Sequence, residues 1–211
     1  EHTLDVFFEH EQVAGVVVVL HPNDPYWKEL NIQSKGKVLY TVSGGENRSD
    51  SVMQGLQYLK NEIGLDADSW VMVHDSVRPC LLKTDIDVLL RICNDASIGG
   101  ILASPVRDTM KRVGIDLINT NKNKVLSTES RENLWHALTP QVFRLDDLNN
   151  ALKYCEDNDL AITDESSAME NMGHQPELVE GSHNNIKITH PSDIELATFF
   201  LDSKNTGRGI K

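Results

Sequence analysis

The stretch Val16-Val17-Val18-Val19-Leu20 is apolar at every position. A strand with one wet face alternates apolar and polar residues. An unbroken β-branched run instead predicts a strand covered by helices on both faces, as in a parallel sheet. Upstream, Leu4, Phe7 and Phe8 fall at helical spacing, with Glu11 or Gln12 continuing that face, and predict an amphipathic helix. A helix leading into a buried strand normally follows an earlier strand, and the chain opens at Glu1 without a methionine. Residues preceding Glu1 are therefore expected, so that 1–211 would be a single domain incomplete at its N-terminus.

Working outward, the pattern alternates. Lys37–Val42 is a second apolar run leading into Gly44-Gly45. Val52, Leu56, Leu59 and Ile63 mark a helix for which Ser49 or Asp50 is the expected cap. Trp70–Val73 reads as a short buried strand ending at His74-Asp75. Thr84 is the expected cap of the next helix, whose first turn carries Asp85 and Asp87 and whose apolar face is Ile86, Leu89, Leu90 and Cys93. Gly99–Ala103 is a further strand. Strands alternating with helices of roughly 10–15 residues predict the α/β class, a Rossmann-like, mostly parallel sheet.

Between Pro105 and Leu134 the rhythm breaks. Met110–Val113 and Lys124–Leu126 read as strands separated by the polar stretch 116–123, a projecting hairpin arm. Pattern alone leaves two readings of it, a dimer contact or a surface hairpin without a partner. After Trp135 come a helix over Leu145–Cys155, a helix capped by Thr163, and a strand pair at Glu177–Val179 and Asn185–Ile188. A last helix starts at Pro191 and is expected to bury Ile194, Ala197, Leu201 and one of Phe199 and Phe200.

Composition narrows the function classes. The 211 residues carry 20 Lys+Arg against 32 Asp+Glu, a net charge of -12, which disfavours a phosphate-backbone partner; no nucleic acid is expected. Hydrophobic residues make up 39%, enough for a core, but no run approaches the ~20 apolar residues of a membrane-spanning helix, so no membrane partner is expected. Cys80, Cys93 and Cys155 are odd in number and widely spaced, and no signal peptide is visible. Together these point to a reducing, cytoplasmic setting.

Ligands of open α/β sheets bind beyond the carboxyl ends of the strands. Four polar clusters fall there: Gly44-Gly45-Glu46-Asn47-Arg48, His74-Asp75-Ser76-Val77-Arg78-Pro79, Pro105-Val106-Arg107-Asp108-Thr109, and Lys187. Each alone has an ordinary reading beside the functional one. The diglycine is a turn or a close backbone approach to a ligand. Asp75 is an Asx turn or a holder of a divalent cation or sugar hydroxyl. Arg78 is a surface ion pair or a phosphate contact, and Lys187 a solvated edge residue or a ligand contact. Their shared rim favours the functional set. His74 and His136 read as structural hydrogen-bonders and Cys80 as buried packing. P-loop, dinucleotide, nucleophile-elbow and zinc spacings do not occur.

Taken together the motifs resemble one family. Gly44-Gly45-Glu46-Asn47-Arg48-Ser49-Asp50-Ser51-Val52, Val73-His74-Asp75-Ser76-Val77-Arg78-Pro79-Cys80, Pro105-Val106-Arg107-Asp108-Thr109-Met110-Lys111, Leu134-Trp135-His136-Ala137-Leu138-Thr139-Pro140-Gln141, Ile162-Thr163-Asp164-Glu165-Ser166-Ser167-Ala168, and Val179-Glu180-Gly181 through Asn185-Ile186-Lys187 come in the order found in 2-C-methyl-D-erythritol 4-phosphate cytidylyltransferases of the non-mevalonate isoprenoid pathway. The resemblance implies transfer of a cytidylyl group from CTP to methylerythritol 4-phosphate, with pyrophosphate leaving and magnesium or another divalent cation present. It implies that Arg131 and Lys187 orient the methylerythritol phosphate as the catalytic pair, and that Thr109, Thr139 and Thr163 supply hydroxyls. Asp75 and Arg78 would face the sugar alcohol and the ribose or magnesium side, with Asp75 as metal ligand. Gly45, Glu46 and Ser51 match the cytosine-binding region, where the family's usual acid is Asp rather than Glu46. It also implies a homodimer in which the arm, 105–134, completes the neighbour's site. In the family a strand and a glycine-rich loop with an Arg and a Lys precede the helix matched by residue 1. A ribitol 5-phosphate cytidylyltransferase and a non-catalytic nucleotide-binding protein are the alternatives on the same scaffold.

Overall fold

The computed structural model describes residues 1–95, 98–114 and 124–205. Among the described residues, eight strands and six α-helices follow one another as α1 (His2–Phe8), β1 (Gly15–Leu20), β2 (Val38–Ser43), α2 (Arg48–Asn61), β3 (Trp70–Val73), α3 (Lys83–Asp95), β4 (Gly99–Pro105), β5 (Met110–Val113), β6 (Val125–Glu129), β7 (Trp135–Arg144), α4 (Leu145–Asp157), α5 (Glu165–Asn171), β8 (Glu177–Glu180) and α6 (Pro191–Asn205). The main sheet has the order β3-β7-β4-β8. In it β4 and β8 are parallel, and β7 is inserted antiparallel between β3 and β4. β1 and β2 pair in parallel as a second sheet. The α/β architecture with strands running predominantly one way is thus as expected, apart from the antiparallel β7.

The period of two along the central strands explains the layers. Val71, Ile101 and Phe143 face one core with Leu56 of α2, Leu148 and Leu152 of α4, and Ala168 and Met169 of α5. Their neighbours Leu102, Val142 and Leu138 face the other core, with Val6 and Phe7 of α1 and Leu81, Ile86 and Leu89 of and before α3. Helices therefore cover both faces, which demands strands apolar on both sides. At the edge of this arrangement Gly99 has φ +110 and its missing Cβ would lie 2.2 Å from the Val142 carbonyl oxygen, so glycine permits β4 to close on β7.

Several expectations need correction. Val16–Leu20 are half-buried rather than buried, because β1 pairs with a strand on one side only among the described residues. The cap of α2 is Asn47; Asp50 instead sits at the third helical position, where its Oδ2 accepts the Asn47 N–H at 3.0 Å. Thr84 lies inside α3, which starts at Lys83. Asp164, not Thr163, caps α5, its Oδ1 accepting the Ser167 N–H at 2.9 Å. β7, ten residues long, interrupts the expected rhythm and was hidden by Pro140, a residue normally foreign to central strands. Residues 185–188 form no strand; Asn185 and Ile188 spend their backbone and side-chain bonds on Arg78, Thr139 and Val77 instead. In α6 Ala197 is buried as expected, Phe200 and Leu201 are half-buried, and Ile194 is 55% exposed.

β5 and β6 pair antiparallel as the two expected strands, Met110 opposite Glu129 and Val113 opposite Val125. The polar stretch 116–123 lies outside the described residues. No described helix is long and apolar enough to cross a membrane.

Candidate active site

At the carboxyl end of β3 the backbone turns at His74 and Asp75, and Asp75 becomes the hub of a charge cluster. Its Oδ1 accepts the Arg48 Nε–H at 3.0 Å, and its Oδ2 accepts a hydrogen bond from the Lys187 ammonium at 2.9 Å. Arg78 Nε stands 3.5 Å from the same Oδ2 as an ion pair. Burial works to raise the Asp75 pKa, but Lys187 and Arg48 overcome it and hold the carboxyl below its usual range. Arg48 in turn places two N–H groups on Glu165, at 2.7 and 3.0 Å, the bidentate geometry that suits guanidinium and carboxylate. Glu165 is 1% exposed, and burial holds its carboxyl above the usual carboxylate range although the Arg48 pair offsets part of that shift.

Around the cluster lies a pocket of about 230 Å³, lined among others by Arg48, Asp75, Arg78, Thr139, Thr163 and Lys187. β7 runs past β3 so that the Thr139 Oγ1 accepts the Asp75 N–H at 3.1 Å. Gln141 is fully buried and pinned at both ends: its amide nitrogen donates to Asp164 Oδ2 at 2.9 Å and its oxygen accepts the Ser166 N–H at 2.8 Å. Arg78, 8% exposed, donates through a terminal nitrogen to the Asn185 carbonyl at 2.8 Å, which fixes the loop carrying Lys187. Its Nε makes no hydrogen bond within the described chain, so a donor remains beside Asp75.

Five candidate residues, Asp75, Arg78, Thr139, Thr163 and Lys187, are therefore brought to one pocket. Gly45, Glu46 and Ser51 sit beside it at the turn into α2, where Gly45 N–H donates to Ser51 Oγ at 3.2 Å. A Cβ on Gly45 would stand 2.3 Å from the Asp50 Cβ, so the tight turn requires glycine. Thr109 and Arg131 do not line the pocket; they flank the antiparallel strand pair β5-β6, with Arg131 donating to the Arg107 carbonyl. His136 is exposed, and Cys80 is buried with its thiol against the Ala197 carbonyl.

Sequence reasoning gave no individual role to three residues that the structure places in or behind the pocket: Arg48, Glu165 and Gln141. Arg48 occupies the first position of α2, where the helix dipole disfavours a cation. That mismatch was a readable signal that a buried carboxylate waits for it. Glu165 and Gln141 gave no such signal, since their partners come from distant segments.

Among the described residues no three His, Cys, Asp or Glu side chains gather as a metal cage. Asp75 offers one carboxylate, which suits magnesium when phosphates and waters supply its remaining ligands.

The arrangement sets three cations and two hydroxyls within reach of one small polar pocket, a layout fitted to a phosphorylated polyol. Comparison with known proteins agrees. A family model described as 2-C-methyl-D-erythritol 4-phosphate cytidylyltransferase matches residues 1–203. The chain is 47% identical over 201 residues to the protein of that name from Vibrio parahaemolyticus serotype O3:K6, covering 95% of this chain and 82% of the relative. It is 46% identical over 195 residues to the one from Pseudomonas entomophila, covering 92% and 80%. Its fold is similar to a crystal structure of 4-diphosphocytidyl-2C-methyl-D-erythritol synthase, with TM-score 0.82, 33% identity, and 95% and 88% of the two chains covered. It is also similar to the 2-C-methyl-D-erythritol 4-phosphate cytidylyltransferase of Francisella tularensis, with TM-score 0.77, 34% identity, and 94% and 86% covered.

Proposed function

Because the chain belongs to the 2-C-methyl-D-erythritol 4-phosphate cytidylyltransferase family, we propose that the Asp75 pocket receives methylerythritol 4-phosphate and presents its phosphate to CTP. A phosphate oxygen attacks the α-phosphorus of CTP, the bond to the bridging oxygen breaks, and pyrophosphate leaves with that oxygen. The protein's task is to bring two anions into line and neutralise their charge. The observation that carries this reading is the set of three cations, Arg48, Arg78 and Lys187, converging on one carboxylate at the end of β3.

Lys187 is half exposed and holds one carboxylate oxygen; an incoming phosphate competes for it with twice the charge. As it turns to the phosphate, Asp75 is released to accept from polyol hydroxyls or from Arg78 Nε. Thr163 contributes a further hydroxyl. Gly45, Glu46 and Ser51, at the α2 turn, face the base of CTP. Asp75, once Lys187 has turned away, would hold magnesium together with the phosphates, and the ion would supply further charge neutralisation.

The hairpin supports a homodimer. Val113 and Val125, paired across β5 and β6, are 39% and 60% exposed, and Leu126 on the other face of β6 is 66% exposed, apolar side chains that a second copy would cover. In that assembly Arg131 and Thr109 of one copy enter the neighbour's pocket, which accounts for their distance from the pocket of their own chain.

The test is pyrophosphate release from CTP with magnesium, comparing methylerythritol 4-phosphate with ribitol 5-phosphate. Release with the former alone is expected. Release with the latter alone would reassign the substrate, and CTP binding without release would leave a non-catalytic nucleotide-binding protein.

A further inference from the structure

A chain of hydrogen bonds at the end of β3 has a direction fixed by its two ends. At one end His74 Nε2 lies 3.1 Å from the Arg78 carbonyl oxygen, which can only accept. Nε2 therefore carries the imidazole proton. In the neutral ring this is the one proton, so Nδ1 is bare. Nδ1 lies 2.9 Å from Thr139 Oγ1, so the threonine hydroxyl must donate to it. At the other end the Asp75 N–H, which can only donate, reaches the same Oγ1 at 3.1 Å. Phe7 holds the ring edgewise with centroids 5.2 Å apart. A hydroxyl oxygen has one hydrogen and two lone pairs. The hydrogen is spent on His74 and one lone pair on Asp75, which leaves one lone pair for the pocket that Thr139 lines.

We propose that His74 is a positioning residue that makes Thr139 an acceptor-only group toward the pocket, so that the ligand atom seated there is a hydroxyl hydrogen of the polyol and not a phosphate oxygen. This rests on the substrate reading above and divides the labour within it. Phosphate oxygens, which only accept when ionised, go to the donors Lys187 and Arg78. Polyol hydroxyls, which can donate, go to Thr139. The pocket thereby fixes which end of the acceptor substrate lies inward, and a ligand presenting an anionic oxygen at Thr139 meets a lone pair.

Two measurements on the full protein test this. ¹⁵N NMR of the labelled imidazole at pH 7 should show a neutral ring protonated at Nε2; a ring protonated at Nδ1 overturns the proposal. Steady-state kinetics then compare His74→Asn, whose side-chain oxygen can replace Nδ1 as acceptor, with His74→Gln, which reaches toward the Arg78 carbonyl and leaves Thr139 without its acceptor. His74→Gln should raise KM for methylerythritol 4-phosphate about tenfold while KM for CTP stays within about twofold, and His74→Asn should restore most of the loss. Equal losses in both variants, or a parallel rise in both KM values, would mean that His74 only packs, and would overturn it. If the wild-type protein turns over neither polyol phosphate, the substrate reading falls, and the imidazole spectrum alone decides whether the hydrogen-bond chain stands.

Discussion

Arg48 and Glu165 are joined by two N–H···O bonds of 2.7 and 3.0 Å across 117 positions of sequence, which ties the start of α2 to the start of α5. Glu165 is buried and Arg48 reaches solvent, so the pair is asymmetric: removing the arginine strands a charge, whereas removing both strands nothing.

Arg48→Met is accordingly expected to destabilise the fold by about 2–3 kcal/mol, read from urea unfolding. The double variant Arg48→Met with Glu165→Met should recover at least half of that loss. A double variant as unstable as the single one would show that the pair does not act through desolvation.

Gly45 is held by lack of space and not by a left-handed backbone. Gly45→Ala places a methyl 2.3 Å from the Asp50 Cβ and must open the turn that ends in the α2 capping interaction. A cost of about 1–3 kcal/mol is expected, with a rise in KM for CTP and little change for methylerythritol 4-phosphate. An unchanged KM for CTP would separate this turn from nucleotide binding.

If the hairpin carries Arg131 into a neighbour's pocket, two inactive proteins make an active one. Arg131→Ala and Lys187→Ala should each lower kcat/KM by about 100-fold or more. Co-expressed, they form hybrids in which one pocket holds both native residues, so about a quarter of the wild-type activity should return on statistical pairing. Val125→Glu should abolish that recovery and convert dimer to monomer in sedimentation. Mixed chains with no recovery would confine each site to its own chain.

His74 also predicts a pH dependence. Its folded pKa, about 4, lies below the ordinary histidine value of 6.5, so between those values the unfolded chain takes up a proton that the folded chain refuses. Stability is therefore full above about pH 6.5 and is lost as pH falls toward 4, by on the order of 3 kcal/mol from this residue. His74→Asn should show a shallower decline between pH 7 and 4.5 in urea midpoints. A parallel decline would assign the acid sensitivity to other groups.

What the sequence revealed followed local physics. The apolar runs at Val16–Leu20 and Trp70–Val73, and the helical spacing of Ile86 and Leu89, placed strands and helices because period and burial are read within a dozen residues. The rim residues Asp75, Arg78 and Lys187 were legible from the polar clusters expected at strand ends, and Thr139 and Thr163 from the family resemblance of their motifs. Where local signals competed, the reading slipped: Asp164 took the cap from its neighbour Thr163, and the loop 185–188 looked like a strand until its bonds to Thr139, Arg78 and Val77 were seen. β7 stayed hidden because Pro140 speaks against a central strand. The roles of Glu165 and Gln141 were illegible for a deeper reason, since burial and partner identity are properties of the assembled fold.

The pocket takes one wall from residue 48 and another from residue 187, with the rest spread between. Each such closure must order the intervening chain before any charge meets its counterpart. During synthesis, then, the growing polypeptide has no partial grip on substrate: recognition switches on only after the segment bearing Lys187 has emerged and docked. Ligand affinity thus reports on the wholeness of the molecule, and saturating substrate would selectively rescue finished chains from unfolding while leaving incomplete ones to be cleared.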